Sequence, residues 1–156
     1  MFQKEDIKIF ISDFDGIFTD GRLTVYSDGS TSKVISYKDI MAVANLLKRG
    51  IGFAIISGEK SRAIDILKEK FPSIDVFQNE RNKIQILKSL LKKYNLTPEN
   101  TIYMGDDIND IDCLNYVKFP VTVNDAHEDV KKIPNIFITK NNGGCTAVRE
   151  IADLIL

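Results

Sequence analysis

The chain has 156 residues, enough to bury one core and too few for two, so a single domain over residues 1–156 is expected. Its 21 basic and 22 acidic residues nearly cancel, which removes any electrostatic case for a nucleic acid or an anionic membrane as partner. Two cysteines make no disulfide framework, the first residues are charged rather than a signal-peptide run, and no apolar stretch is long enough to span a bilayer; a cytoplasmic protein is expected.

Along the chain, Ile7, Ile9 and Ile11 alternate into Asp13, which predicts a first strand ending at that aspartate. Residues 22–27 and 31–37 flank Asp28-Gly29, a hairpin-turn dipeptide. Ile40, Val43, Ala44 and Leu47 mark a helix face that stops before Gly50. A continuous apolar strand at 51–56 follows, then a helix with Ile64, Leu67 and Phe71 on one side. A short strand at 74–77 leads to a longer helix carrying Ile84, Leu87, Leu91 and Tyr94 in register. Thr97-Pro98-Glu99 is a capped turn before a strand at 101–104. A helix at 108–116, strands at 119–123 and 135–138, and a last helix from about Cys145 complete the reading. Alternating strands and helices predict an α/β fold, a doubly wound and mostly parallel sheet with a small β-hairpin insertion. Ligands of such sheets sit beyond the carboxyl ends of the strands.

The acidic motifs fall at those ends. Asp13-Phe14-Asp15-Gly16 directly follows the first strand, and Gly105-Asp106-Asp107-Ile108-Asn109-Asp110 follows the strand at 101–104. Alone, the first reads as an acidic turn, and the second as a helix start enriched in aspartate by the macrodipole. Together they set three or four carboxylates around one point. Such a cluster repels itself unless a cation sits within it, and its oxygen donors suit Mg²⁺. Ser57 follows the strand at 51–56, and Lys83 opens the helix after 74–77. Singly these are a strand-end hydroxyl and a solvated charge.

The order Asp-x-Asp-Gly, Ser, Lys, Gly-Asp-Asp-x-x-Asp resembles the haloacid dehalogenase superfamily over nearly the whole chain. The resemblance implies that Asp13 is the nucleophile and Asp15 the general acid/base. It implies that Ser57 and Lys83 bind the phosphoryl group. Asp13, the Asp15 carbonyl and Asp106 would ligate Mg²⁺, with Asp107 and Asp110 supporting the metal site. An acid at position 15 points to a phosphatase or mutase. A bacterial receiver domain shares the residue types, but its phosphate-accepting aspartate lies on a middle strand. Here the strand at 74–77 ends in Gln78-Asn79.

Between Gly21 and Asp39 there is room only for the hairpin, so no cap domain is expected. The stretches Asp13 to Gly21, Lys38-Asp39, Asp125-Ala126-His127 and Gly143 to Glu150 resemble the capless branch that acts on phosphorylated 2-keto-3-deoxy sugar acids. This implies octulosonate 8-phosphate or a nonulosonate 9-phosphate as the small-molecule substrate, in a homotetramer with the hairpin at its centre. Glu59-Lys60 after Ser57-Gly58 is similar to the nine-carbon phosphatases. Glu59, with Lys70 or a neighbouring subunit's Arg149, is then expected to bind the sugar acid. The alternative is a non-enzymatic oligomerisation module, related to domains fused to sugar-acid cytidylyltransferases. His127 reads as a helix cap, Cys113 as a small core residue, Gly143-Gly144 as a turn, and Arg149-Glu150 as a solvated pair.

Overall fold

The computed structural model describes residues 6–156; the charged start at residues 1–5 lies outside the described residues. A six-stranded sheet runs in the order β5-β4-β1-β6-β7-β8, and every neighbouring pair is parallel. Its strands are β1 (Ile9–Ser12), β4 (Gly52–Ile56), β5 (Asp75–Phe77), β6 (Thr101–Met104), β7 (Phe119–Thr122) and β8 (Phe137–Ile138). The insertion is a separate antiparallel pair, β2 (Thr24–Val25) with β3 (Thr31–Ser32). It is shorter than the expected 22–27 and 31–37, because the chain after Ser32 leaves the ribbon and Ser36 caps the next helix. The turn stands on local chemistry: Asp28 Oδ1 accepts from the Ser30 N–H and hydroxyl, and Gly29 takes the left-handed φ of +84°.

The helices are α1 (Tyr37–Lys48), α2 (Arg62–Lys70), α3 (Lys83–Lys93), α4 (Ile111–Tyr116), α5 (Glu128–Lys131) and α6 (Ala147–Ile155). The chain steps left from β1 to β4 to β5 and right from β5 to β6 to β7 to β8. Right-handed crossovers therefore place α1 and α2 on one face and α3 and α4 on the other. α6 packs on α1, and α3 packs on α4. The expected helix at 108–116 begins as a 3₁₀ turn, Ile108–Asp110, and the last helix starts at Ala147, after a left-handed Thr146. No described helix is long and apolar enough to cross a membrane.

β1, the central strand, is buried along its whole length, as are four of five residues of β4 and all of β6. That burial on both faces is why the segment at 51–56 reads as a continuous apolar run. Phe10, Phe53, Phe18 and Phe14 form a chain of ring contacts beneath the first loop, with Phe18 edge-on to Phe53 at 6.0 Å. The loop after β1 is thus anchored from below by two phenylalanines of its own. Cys113 is a buried core residue, its thiol pushed up to about 12 by burial, while Cys145 is exposed.

Candidate active site

β1 has neighbours on either side that the chain reaches in opposite directions, which opens a crevice at the strands' carboxyl ends. Asp13 (after β1), Ser57 (after β4) and Asp106 (after β6) stand there, and α3 brings Lys83 in from one face.

Asp13 is almost fully buried. Its N–H continues the sheet by donating to the Met104 carbonyl at 2.8 Å, which fixes the direction of its side chain. Its Oδ1 accepts from the Phe14 N–H at 2.6 Å, and its Oδ2 lies 3.0 Å from Lys83 Nζ. The Lys83 ammonium is equally close, 2.9 Å, to Asp110 Oδ1. Burial alone would favour a neutral Lys83, but Asp110 and Asp13 outweigh it and hold its pKa above the usual lysine value.

Asp110 is the anchor of the group. Lys83 and the Tyr103 hydroxyl donate to its Oδ1, and the backbone N–H groups of Asp106 and Asp107 donate to its Oδ2 at 3.1 and 3.3 Å. Four donors leave it little capacity to ligate an ion. The second motif thus wraps around its own last aspartate, and the wrap aims Asp106 into the crevice. Asp107 caps the 3₁₀ turn, accepting from the Ile108 N–H at 2.7 Å.

Two glycines make the crowding possible. A Cβ on Gly16 would lie 2.0 Å from Asp106 Oδ2, and one on Gly105 would lie 2.4 Å from the Asp110 carboxyl carbon. Asp15-Gly16 and Gly105-Asp106 are therefore each half of a contact whose other half is a catalytic-motif aspartate, Asp106 and Asp110 respectively.

The donor set fits a divalent cation. Carboxylate oxygens of Asp13, Asp106 and Asp110 lie within 4.8 Å of one another. Asp106 Oδ1 is buried and accepts no hydrogen bond. An orphaned anionic oxygen is costly, and burial, then Asp110 and Asp107, push Asp106 up to about 7. Asp13 is likewise held well above the ordinary range, by burial and then by Asp110, with Lys83 opposing. With Asp110 committed to four donors, Asp13 and Asp106 are the residues that would hold the ion, and hard oxygen ligands in this number suit Mg²⁺.

Asp15 sits at the mouth. The Thr19 hydroxyl donates to its Oδ1 at 3.1 Å, and Lys33, just past β3, grips both oxygens. Ser57 is buried; its N–H donates to the Phe77 carbonyl, and its hydroxyl donates to the Glu59 carbonyl while accepting from the Glu59 N–H. Asp13, Asp15, Ser57, Glu59, Asp106 and Asp107 line one cavity of about 280 Å³. Asp15 and Glu59 also border an adjoining cavity of about 460 Å³ under the hairpin, with Arg22, Lys33, Lys60 and Arg62.

Lys70 does not join them. α2 begins at the crevice with Arg62 and runs away from it, so the exposed Lys70 at its far end stands about 12 Å further along the axis, at 1.5 Å per residue. Arg149 lies on α6 outside the crevice, with its Nε on Asp153 Oδ1 at 2.7 Å. Arg149 and Glu150 are not each other's partners, since Glu150 accepts from the Lys140 and Asn141 backbone. Gly143-Gly144 is more than a turn. A Cβ on Gly143 would fall 1.8 Å from the Gly16 carbonyl oxygen, and the Gly144 N–H donates to the Ile17 carbonyl, so the segment backs the nucleophile loop directly. Behind it, Asp39 of α1 is buried and accepts from the Arg149 N–H at 2.8 Å, with burial raising it to about 6. His127 is the cap of α5, its Nδ1 accepting from the Asp129 N–H.

Sequence reasoning missed Lys33 and Thr19. Thr19 lay inside the quoted first motif, and its place four residues after Asp15, close enough to return to it, was the available signal. Lys33 had none, being a single lysine just past a two-residue strand.

The family described as haloacid dehalogenase-like hydrolase matches residues 58–148. The 3-deoxy-D-manno-octulosonate 8-phosphate phosphatase of Salmonella typhi is 32% identical over 100% of this chain and 82% of its own length. That of Escherichia coli K12 is 33% identical over 97% and 80%. Among solved structures, the Moraxella catarrhalis 3-deoxy-D-manno-octulosonate 8-phosphate phosphatase, in complex with magnesium, phosphate and KDO, superposes with a TM-score of 0.92 at 31% identity. The match covers 98% of this chain and 87% of that one. A Yersinia pestis enzyme of the same name gives 0.93 at 29% identity, covering 98% and 82%. The chain belongs to the haloacid dehalogenase-like hydrolase family, and it is a phosphatase of that family.

Proposed function

We propose that the chain is a Mg²⁺-dependent phosphomonoesterase that works through an aspartyl-phosphate on Asp13. The observation that carries this is the side chain of Asp13, held between Lys83 and Asp106, whose Oδ1 has no partner, at the floor of the crevice, with Asp15 at its mouth. An Asp13 oxygen attacks phosphorus and the bond to the sugar oxygen breaks; Asp15 gives that oxygen its proton. Asp15 then takes a proton from the water that cleaves the acyl phosphate, which returns Asp13 and releases inorganic phosphate. Lys83 offsets the charge of the phosphoryl oxygens, and Ser57 turns its hydroxyl to them. The bound Mg²⁺ supplies further positive charge against the repulsion between a carboxylate and a phosphate dianion.

The substrate is a 2-keto-3-deoxy sugar acid carrying phosphate on its terminal carbon. The relatives named above support octulosonate 8-phosphate. A nonulosonate 9-phosphate is the second reading, supported by Glu59 at the border of both cavities, where its carboxylate faces a polyhydroxyl chain. The adjoining cavity, with Arg22, Lys60 and Arg62 on its lining and Lys33 committed to Asp15, receives the sugar acid's own carboxylate. The whole chain acts as one capless domain of a cytoplasmic homotetramer. Leu23, Val25, Tyr26, Val34 and Tyr37 support that assembly, since all five are at least half exposed, Val34 at 82%, on or beside a ribbon too short to stand alone.

The test is acid quenching during turnover of ³²P-labelled octulosonate 8-phosphate. Label should appear on the wild-type chain and be absent from Asp13→Asn or after chelation. Turnover without any protein-bound label, under conditions where hydrolysis of the intermediate limits the rate, removes the covalent step. Comparison of kcat/KM among octulosonate 8-phosphate, nonulosonate 9-phosphates and hexose phosphates decides the substrate. A preference for hexose phosphates refutes the sugar-acid reading.

A further inference from the structure

The hairpin reaches the catalytic crevice through one lysine. Lys33 Nζ lies 2.7 Å from Asp15 Oδ1 and 2.6 Å from Oδ2. An ammonium shared by both oxygens fixes the plane of the carboxylate, which a single hydrogen bond would leave free to turn. The pair is half-sheltered, with the Lys33 side chain 15% and the Asp15 side chain 30% exposed. The same ammonium stands 5.8 Å from the centre of the buried Phe14 ring, so its own position is set by the nucleophile loop and the hairpin together. The other donor to Asp15, the Thr19 hydroxyl, is fixed independently by accepting from the Gly16 and Gly21 N–H groups. Thr19 therefore holds one oxygen from within the loop, and Lys33 sets the rotation about that hold.

We propose that Lys33 is a positioning residue for the reaction: it orients the Asp15 carboxylate toward the leaving-group oxygen, making the hairpin a working part of the site. The inference rests on the assignment of Asp15 as general acid/base given above. It has a structural corollary. β2 and β3 pair over two residues each, so whatever covers their exposed apolar side chains also steadies Lys33 and, through it, Asp15.

The test compares wild type with Lys33→Met, Lys33→Arg, Asp15→Asn and the Lys33→Met/Asp15→Asn double variant. Circular dichroism and light scattering confirm fold and assembly in each. Two substrates are used, octulosonate 8-phosphate, whose alkoxide must be protonated as it leaves, and p-nitrophenyl phosphate, whose phenolate leaves without help. kcat/KM reports the steps up to the first irreversible bond cleavage. Lys33→Met should lower it ~10–100-fold on the sugar phosphate and less than about threefold on the aryl phosphate, the pattern of a misplaced acid. Lys33→Arg should recover most of the loss. The double variant should fall well short of the product of the single losses, because both act on one group. Equal losses on the two substrates, fully multiplying losses, or wild-type kinetics in Lys33→Met would each overturn the inference. If Asp15→Asn itself leaves the sugar phosphate rate unchanged, the acid/base assignment falls and takes Lys33 with it. If Asp15→Asn is slow and the losses multiply, only the role of Lys33 falls.

Discussion

The metal-free protein should lose stability as pH rises from the ordinary carboxylate range toward neutrality, and Mg²⁺ should restore it. Asp106 moves from an ordinary 3.8 to about 7 on folding because its buried oxygen faces Asp110 and Asp107 without a donor of its own. Between those two values the folded chain binds a proton that the unfolded chain does not. Stability therefore falls with pH across that window and is flat for this group below and above it. At 1.36 kcal/mol per pH unit the full effect is about 4 kcal/mol, an upper bound for a group that keeps some solvent contact. Asp39, raised to about 6 by burial, acts in the same direction over a lower window, but it lies behind α6, where a crevice ion does not reach it. The assay is thermal unfolding from pH 5 to 8, with Mg²⁺ and with chelator. Chelated protein should melt lower at pH 8 than at pH 5 by up to ~10 °C, taking about 2–4 °C per kcal/mol for a chain of this size. The Mg²⁺-induced gain should be larger at pH 8, because protons compete with the ion at the same oxygens. Asp39→Asn should remove the part of the slope that Mg²⁺ leaves. A Tm of the chelated protein that rises with pH, or an equal Mg²⁺ effect at both ends, would refute this account of the cluster.

Three further outcomes are expected. Asp15→Asn should slow turnover of the sugar phosphate ~10²–10⁴-fold, read by phosphate release, while the fold and Mg²⁺ binding persist. Gly16→Ala should weaken Mg²⁺ binding at least tenfold in titration calorimetry and destabilise the chain by about 1–3 kcal/mol, since its φ is +81° and its Cβ would stand against Asp106. Unchanged binding there would show that the close approach of Gly16 and Asp106 is dispensable. Val34→Glu should shift light scattering toward a smaller species, because a charge placed among the exposed apolar side chains beside the ribbon opposes the burial between subunits proposed above.

The sheet was legible because β1, β4 and β6 are buried on both faces, which leaves an alternating Ile7, Ile9, Ile11 pattern in the first and a continuous apolar run at 51–56 in the second. Asp13, Ser57 and Asp106 were legible because each lies within two residues of the last apolar residue of its strand. Lys83 was not visible from pattern alone; only the order of the motifs singled it out, and its burial between two aspartates is a tertiary fact. Periodicity gives the buried face of a helix but not which end meets the site. That is why Lys70, at the far end of α2, was assigned to the sugar acid although the helix carries it away. The part of Asp110 was half visible: its spacing from Asp106 places it in the motif, but its four donors come from three separate segments. Lys33 illustrates the general limit. A cation on an irregular ribbon acquires meaning only from how far the ribbon folds back.

The contact of Gly143 with the Gly16 carbonyl has a consequence for the order in which the molecule becomes competent. The nucleophile loop belongs to the first strand of the described chain, yet its backing comes from the segment that enters the last described helix. Closing so long a loop carries an entropic cost that only the near-complete sheet offsets. A growing chain could therefore assemble β1, β4 and β6 around Asp13 and still lack a set geometry at Gly16 and Thr19. Catalytic competence would arrive in one late step, when the Gly-Gly segment docks, rather than accumulating with the core.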